Sequence, residues 1–425
     1  MSRWGKALAV YADPRILLIA VMGFSSGLPL LLTLSTLSYW LAKNGVDKTS
    51  IGLFASVGVP YSFKFLWAPL LDRIRPPFLG RRRGWAIAIQ IALALAILAM
   101  GFTDPRVNAW WTALAALVVA FLSASQDIVI DAYRIEILPE AEQGAGSAAT
   151  QVGYRFGLLA AGAGAVALAD FVAWPVVFAG LAALMGIGVV AFLIAPEPQA
   201  PPQPKGESFV AFLKNGVLAP LLEFLLRRGA IVILLFVLLY KFGDAISGTM
   251  ATPFYVEMGF TGVEIAAVTK VFGIIASLAG TLAGGLLVAR FGIMRALLIG
   301  GILQAAGILL FALLAMKGHD TVWLAIAVGG DNFVGGLGSA AFVAYLSALC
   351  NVAFTATQYA LLSSFMAVGR TLLSSGSGWL AEQLSWPSFF TLSAGLAIPG
   401  LLLLFWLMRL YPTEQAGFAA SRANA

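Results

Sequence analysis

Charge is scarce in this chain. Only 11% of its 425 residues are Asp, Glu, Lys or Arg, against about 25% in an ordinary soluble domain, which excludes a water-soluble enzyme of this length. Cysteine is scarcer still. The single Cys350 rules out a disulfide framework and a Cys-rich metal site, so neither a metal nor a cofactor is expected. One histidine, His319, removes the side chain that usually titrates near neutrality. What the chain has in abundance is apolar residues, 60% of the total, with a mean hydropathy of +0.91. Such a composition belongs in a bilayer.

Apolar runs bounded by charge or turn residues predict twelve spanning helices. They fall near 16–40, 50–71, 85–103, 108–135, 146–169, 172–195, 231–257, 263–289, 296–316, 321–349, 355–381 and 386–410. The expected fold class is an all-α membrane protein with six spans in residues 1–195, a linker at 196–230 and six spans in 231–425. The linker opens on Pro196, Pro198, Pro201, Pro202 and Pro204. Phe209, Phe212, Leu213 and Val217 then suggest one amphipathic helix lying on the membrane surface and broken by Pro220. The first apolar run exceeds a signal core and lacks a small-residue cleavage site, so it should stay in the mature chain.

With both termini cytoplasmic, most of the 26 Lys and Arg residues fall inside, and the external loops hold only Lys43, Lys48, Arg106 and Lys317. That is the positive-inside pattern. The net charge of +6 is therefore a topology signal, and no nucleic acid is expected as a partner. Trp40, Trp110, Trp111, Trp174, Trp323 and Trp386 lie near span ends and read as interfacial anchors.

Several ionisable residues nevertheless fall inside the spans: Lys64, Asp127, Asp131, Arg155, Lys241, Asp244, Lys270, Asp331 and Arg370. Each costs at least ~2.5 kcal/mol at a bilayer centre, so the set should face a watered cavity or one another. Asp127 and Asp131, four apart on the fourth span, share one helix face. With no histidine in a span, these carboxylates are the available proton carriers, and which one loads remains open at this stage. Lys241 and Asp244, three apart, suit either an internal salt bridge or substrate contact. Asp331 and Asn332 suit a sugar or amide, as do the hydroxyls of Tyr61 and Tyr154. Arg155 and Arg370 suit an anionic group.

The halves repeat. Gly153-Tyr154-Arg155 in the fifth span echoes Val368-Gly369-Arg370 in the eleventh, and Arg73 after the second span matches Arg290 after the eighth. Six spans plus six in the same orientation resembles the major facilitator superfamily, whose substrate sits near the midplane between halves. That superfamily carries G-x-x-x-D-R-x-G-R-R after its second helix. Here the loop reads Asp72-Arg73, then Gly80-Arg81-Arg82-Arg83, with a longer spacing and Ala68 in place of the first Gly. A carboxylate at a helix end facing cations can latch one side shut. Asp72, Arg73, Arg81, Arg82, Arg83 and Arg290 are therefore candidate gating residues, although a purely topological role for Arg81 to Arg83 is the alternative.

More specific strings are Gly27-Leu28-Pro29, Phe63-Lys64-Phe65-Leu66-Trp67, Ala124-Ser125-Gln126-Asp127 through Asp131, Tyr240-Lys241 through Asp244, and Gln358-Tyr359 followed by Gly369-Arg370. Together they resemble the AmpG-type muropeptide permeases over nearly the whole chain. The resemblance implies proton-driven import of anhydro-muropeptides, a saccharide-peptide substrate, across the bacterial inner membrane for cell-wall recycling. It also implies Asp127 and Asp131 as the proton-linked pair, with Lys64, Arg155, Lys241, Asp244, Asp331 and Arg370 as substrate or gating residues; Tyr61, Gln126, Tyr154 and Asn332 are further candidates for substrate binding. The proton is then the coupling ion, and a monomer in the lipid bilayer is expected. Another anionic solute such as acetyl-coenzyme A, or a sugar, is the alternative passenger. A membrane-embedded transferase or a non-transporting sensor would need a metal, nucleotide or signalling module that the sequence does not display.

Overall fold

The computed structural model describes residues 9–46, 55–199, 219–227, 229–261, 264–265 and 267–410. Twelve long helical elements run through them: α1 (Pro14–Leu41), α2 (55–73), α3 (Arg81–Gly101), α4 (Ala109–Ile137), α5 (143–168), α6 (Trp174–Ile194), α7 (Ala230–Glu257), α8 (Ala267–Phe291), α9 (Ile293–Lys317), α10 (Thr321–Ala348), α11 (Val352–Gln383) and α12 (Trp386–Leu410). Ten of these are long and apolar enough to cross a membrane, and α2 and α5 are the exceptions. α2 carries Pro60 and Pro69 and passes through a 3-10 turn at Lys64–Leu66, because each proline removes a backbone donor. α5 is rich in Gly and Ala and widens into a π-turn at Ala160–Gly164.

Helix starts follow local chemistry. Asp13, Asn108 and Asp320 accept the first free N–H groups of α1, α4 and α10. Between the halves, Phe209, Phe212, Leu213 and Val217 lie outside the described residues. A short linker helix, Ala219–Leu225, follows them and buries Phe224 against the second half. Pro220 lies within this described stretch.

Glycines let helices touch backbone to backbone. A Cβ at Gly23 or Gly27 of α1 would collide with the carbonyls of Thr150 and Tyr154, and one at Gly153 or Gly157 of α5 with those of Ala20 and Phe24. α8 and α10 meet in the same way at Gly280, Gly284 and Gly336. Trp110 and Trp111 are exposed at the start of α4, as interfacial anchors should be. Trp40 is not: it is 3% exposed, its ring 5.6 Å from Trp174 and 5.0 Å from Phe178. Its place near a span end put it at the interface in the sequence reading. The aromatic ring of α6 provides an apolar seat instead.

Candidate functional site

One end of the bundle carries the start of α1, the α2–α3 loop, the linker helix and the end of α12. At this terminal face the two halves are tied together. The Asp72 carboxylate accepts from the backbone N–H of Ala356 (3.2 Å) and Thr357 (2.8 Å) and from the Thr357 hydroxyl (2.7 Å). A carboxylate from α2 thus caps the helical run Thr355–Ser374 of α11, where the helix dipole favours negative charge. Arg82 donates to Asp72 at 2.6 Å and to Glu136 of α4 at 2.5 Å, and Arg81 donates to Glu136 at 3.0 Å. Asp72, Arg81 and Arg82 are each no more than 2% exposed. Removing one member of such a buried set costs about 3–5 kcal/mol, because an unpaired charge stays behind.

The remaining predicted gate residues take other places. Arg83 donates to the carbonyls of Phe192 and Leu193 at the end of α6, so it braces the first half and does not cross between halves. Its position three residues into the cationic run turns it to the opposite side of α3 from the buried pair. Arg73 is half-buried at the end of α2, and Arg290 lies over the Phe291 ring at 4.9 Å.

Further ties cross the halves at the same end. Arg134, wholly buried, donates to Ser347 of α10 at 2.9 Å and lies 5.5 Å over the Tyr359 ring of α11. Ser147 donates to the Ala340 carbonyl at 3.1 Å, and Tyr11 to that of Leu282 at 2.8 Å. The linker helix joins in through Gln358, which donates to Pro220 O and to Glu223.

Deeper in the bundle, the ionisable residues fall into two groups. In the first half Asp127 accepts from the Ser26 hydroxyl of α1 at 2.5 Å and lies within electrostatic reach of Lys64 and Asp131. Tyr61 and Tyr154 sit beside it. Asp131 is held by Arg134 at 3.4 Å. Lys64 and Arg155 are half-buried and make no ion pair among the described residues. In the second half Lys241 reaches Asp244 and the Ser339 hydroxyl, both at 3.2 Å, and Gln304 donates to Asp244 at 3.3 Å. Asp331 lies within electrostatic reach of Asp244 and Lys241. Asn332 donates to the Val328 carbonyl at 2.9 Å, and Arg370 is exposed.

Both lysines sit where a helix is interrupted: Lys64 opens the 3-10 turn of α2, and Lys241 stands between Ala230–Leu239 and Phe242–Glu257 in α7. Interrupted helices at bilayer depth are tolerated where they line a cavity. The side chain of Lys270 lies outside the described residues. One predicted substrate residue is sealed inside the protein: Gln126 is 0% exposed and donates to the Ser25 carbonyl at 2.7 Å. Next to Asp127 in sequence, it points about 100° away around the helix.

Sequence reasoning missed Glu136, Ser26, Thr357 and Gln304. Glu136 fell one residue beyond the expected end of the fourth span and was counted with the loops. The others gain their meaning only from partners far away in the chain.

The model of the Major Facilitator Superfamily matches residues 17–330. The anhydromuropeptide permease of Escherichia coli K12 is 44% identical over 400 residues, covering 93% of this chain and 80% of that one. A putative transporter, AmpG 4, of Rickettsia felis is 34% identical over 403 residues, covering 94% and 97%. Among solved structures, a proton:xylose symporter aligns with a TM-score of 0.69 at 14% identity, covering 95% of this chain and 96% of that one. The E. coli fucose:proton symporter also aligns with a TM-score of 0.69, at 12% identity, covering 93% and 98%. These last two establish the fold alone. With its paired glycine-packed helices, its cross-half tie at Asp72 and its near-full-length relatives, the chain belongs to the major facilitator superfamily and, within it, to the AmpG transporters.

Proposed function

We propose that this chain is a proton-driven importer of anhydro-muropeptides, N-acetylglucosaminyl-1,6-anhydro-N-acetylmuramic acid bearing a stem peptide, across the bacterial inner membrane by alternating access. The observation that carries this reading is a set of half-buried ionisable side chains at bilayer depth above a face tied shut between the halves. Facing lipid, each charge would cost about 2.5–3.5 kcal/mol at the bilayer centre. A watered chamber accounts for them. The passenger is taken from the E. coli relative's name. With the terminal face cytoplasmic, this conformation is the one that loads from outside.

Asp127 carries the proton and Asp131 stays ionised. Arg134 holds the charge of Asp131, whereas Asp127 contacts only a neutral hydroxyl. A proton on Asp127 releases the nearby Lys64 to meet an anionic group of the passenger, with Arg155 and Arg370 as further cations. Tyr61, Tyr154, Asn332 and the Lys241–Asp244–Asp331 group face sugar hydroxyls and amides. An inside-negative potential opposes entry of a net anion by about 2.3 kcal/mol per charge per 100 mV, and co-transported protons offset that penalty. On this reading the chain acts as a monomer, and protons are the only coupling agent.

The test is uptake of labelled anhydro-disaccharide-peptide into vesicles under an imposed pH gradient. Accumulation abolished by a protonophore supports the reading, and accumulation indifferent to one removes the coupling. Competition by acetyl-coenzyme A or a free sugar at least as strong as that by unlabelled muropeptide would reassign the passenger.

A further inference from the structure

We infer that the buried polar groups of Ser25, Gln90 and Gln126 beside Gly188 form an internal water site that braces α1 and α4 behind Asp127. Gln90, in the middle of α3, is 0% exposed, and neither atom of its carboxamide has a protein partner. The Ser25 hydroxyl and the Gln126 side-chain oxygen are buried in the same state, although the Gln126 amide nitrogen donates to the Ser25 carbonyl. Ser25 and Gln90 converge. A Cβ built on Gly188 of α6 would collide with Ser25 Oγ and stand 2.5 Å from Gln90 Nε2, so side chains from α1 and α3 end at one point on α6.

Buried polar atoms are almost always satisfied. A water molecule needs two to four polar partners, and the unpartnered groups here are an amide donor, a hydroxyl and two amide oxygens. All are neutral, which suits water and not a charged ligand. The second half offers a contrast: Gln304 of α9 donates to Asp244, so its amide finds a partner within the protein. Ser26, adjacent to Ser25, makes the hydrogen bond to Asp127, and Gln126 is its chain neighbour. Water here would fix both neighbours of that carboxylate from the side away from the chamber.

The inference stands apart from any transport reaction, and so does its test. In a cryo-EM map of the purified full chain that shows other buried waters, density is expected within hydrogen-bond distance of Gln90 and Ser25. Independently, Gln90→Leu should lower Tm by about 2–4 °C, because the water loses its anchors. A dry pocket gives the opposite sign, since leucine then removes unpaired polar atoms. Should Gln90→Leu fail to fold, Ser25→Ala removes one partner only and reads the same sign. Missing density in such a map, or a Tm that rises or stays unchanged in the folded variant, overturns the water site.

Discussion

Lys64 and Lys241 occupy interruptions in helices of opposite halves, yet their surroundings differ. Around Lys241 the charges close on themselves: Asp244, Ser339 and Gln304 lie within hydrogen-bond reach of the pair. Around Lys64 they stay apart. Among the described residues Asp127 is bound only by the Ser26 hydroxyl, and Asp131 is claimed by Arg134, which also reaches Gln143 in its own half and Ser347 in the other. A self-neutralised cluster is suited to holding a polar ligand in place. A loosely held carboxylate next to a free ammonium is suited to changing its charge during a cycle. On the proposed function, binding belongs chiefly to the second half and coupling to the first.

The comparison breaks first at the gate both halves share. Asp72→Ala should abolish uptake, since about 3–5 kcal/mol is lost when one partner of a buried ion pair is removed. It should also expose Cys350, which is 4% exposed and packed near this face. Its labelling by a thiol reagent should then rise about tenfold or more. Unchanged labelling with intact uptake would remove Asp72 from the closure.

Next comes the first half. Asp127→Asn should lose gradient-driven accumulation while keeping substrate exchange, measured as counterflow in preloaded vesicles. Asp131→Asn leaves Arg134 buried without its carboxylate, so its signature is a Tm lowered by about 2–4 °C. If the two phenotypes were exchanged, the proton would belong to Asp131.

The second half should respond less. A double-mutant cycle on Lys241→Met and Asp244→Asn, read by thermal unfolding, should give a coupling of about 0.5–1 kcal/mol, as expected for a partly solvated pair. Zero coupling would dissolve the contrast between the halves.

The smallest effect lies outside the membrane, in the α7–α8 loop. Hydrogen bonds from the Thr261 N–H, then from the Thr261 and Thr321 hydroxyls, hold the Glu264 carboxyl down to about 2. Because the folded value lies below the ordinary 4.5, the tie is complete above pH 4.5 and is lost as pH falls through 2. Hydrogen exchange of residues 264–265 should therefore stay slow at pH 5 and quicken in Glu264→Gln at the same pH. Equal protection in both forms would refute the tie.

Much of the architecture was legible in the chain. Long apolar runs gave the helices. The cationic run at Arg81 was legible as a latch. That two of its members are sealed inside the protein was not, because their partner Glu136 lay just past an expected helix end. Asp72 meeting Thr357 joins residues far apart in sequence, and no periodicity records such a pairing. Trp40 misled for a simpler reason: a tryptophan near a span end suits the interface and an aromatic stack equally well.

The glycine contacts between α1 and α5 carry one more consequence. With carbonyls of each helix seated against bare Cα atoms of the other, neither can roll or slide without a backbone collision. The pair must travel as a single stiff rod, and Ser26 rides on it beside Asp127. Whatever displaces that rod during turnover also changes how the carboxylate is held, so movement and charge are geared together by residues that have no side chains at all.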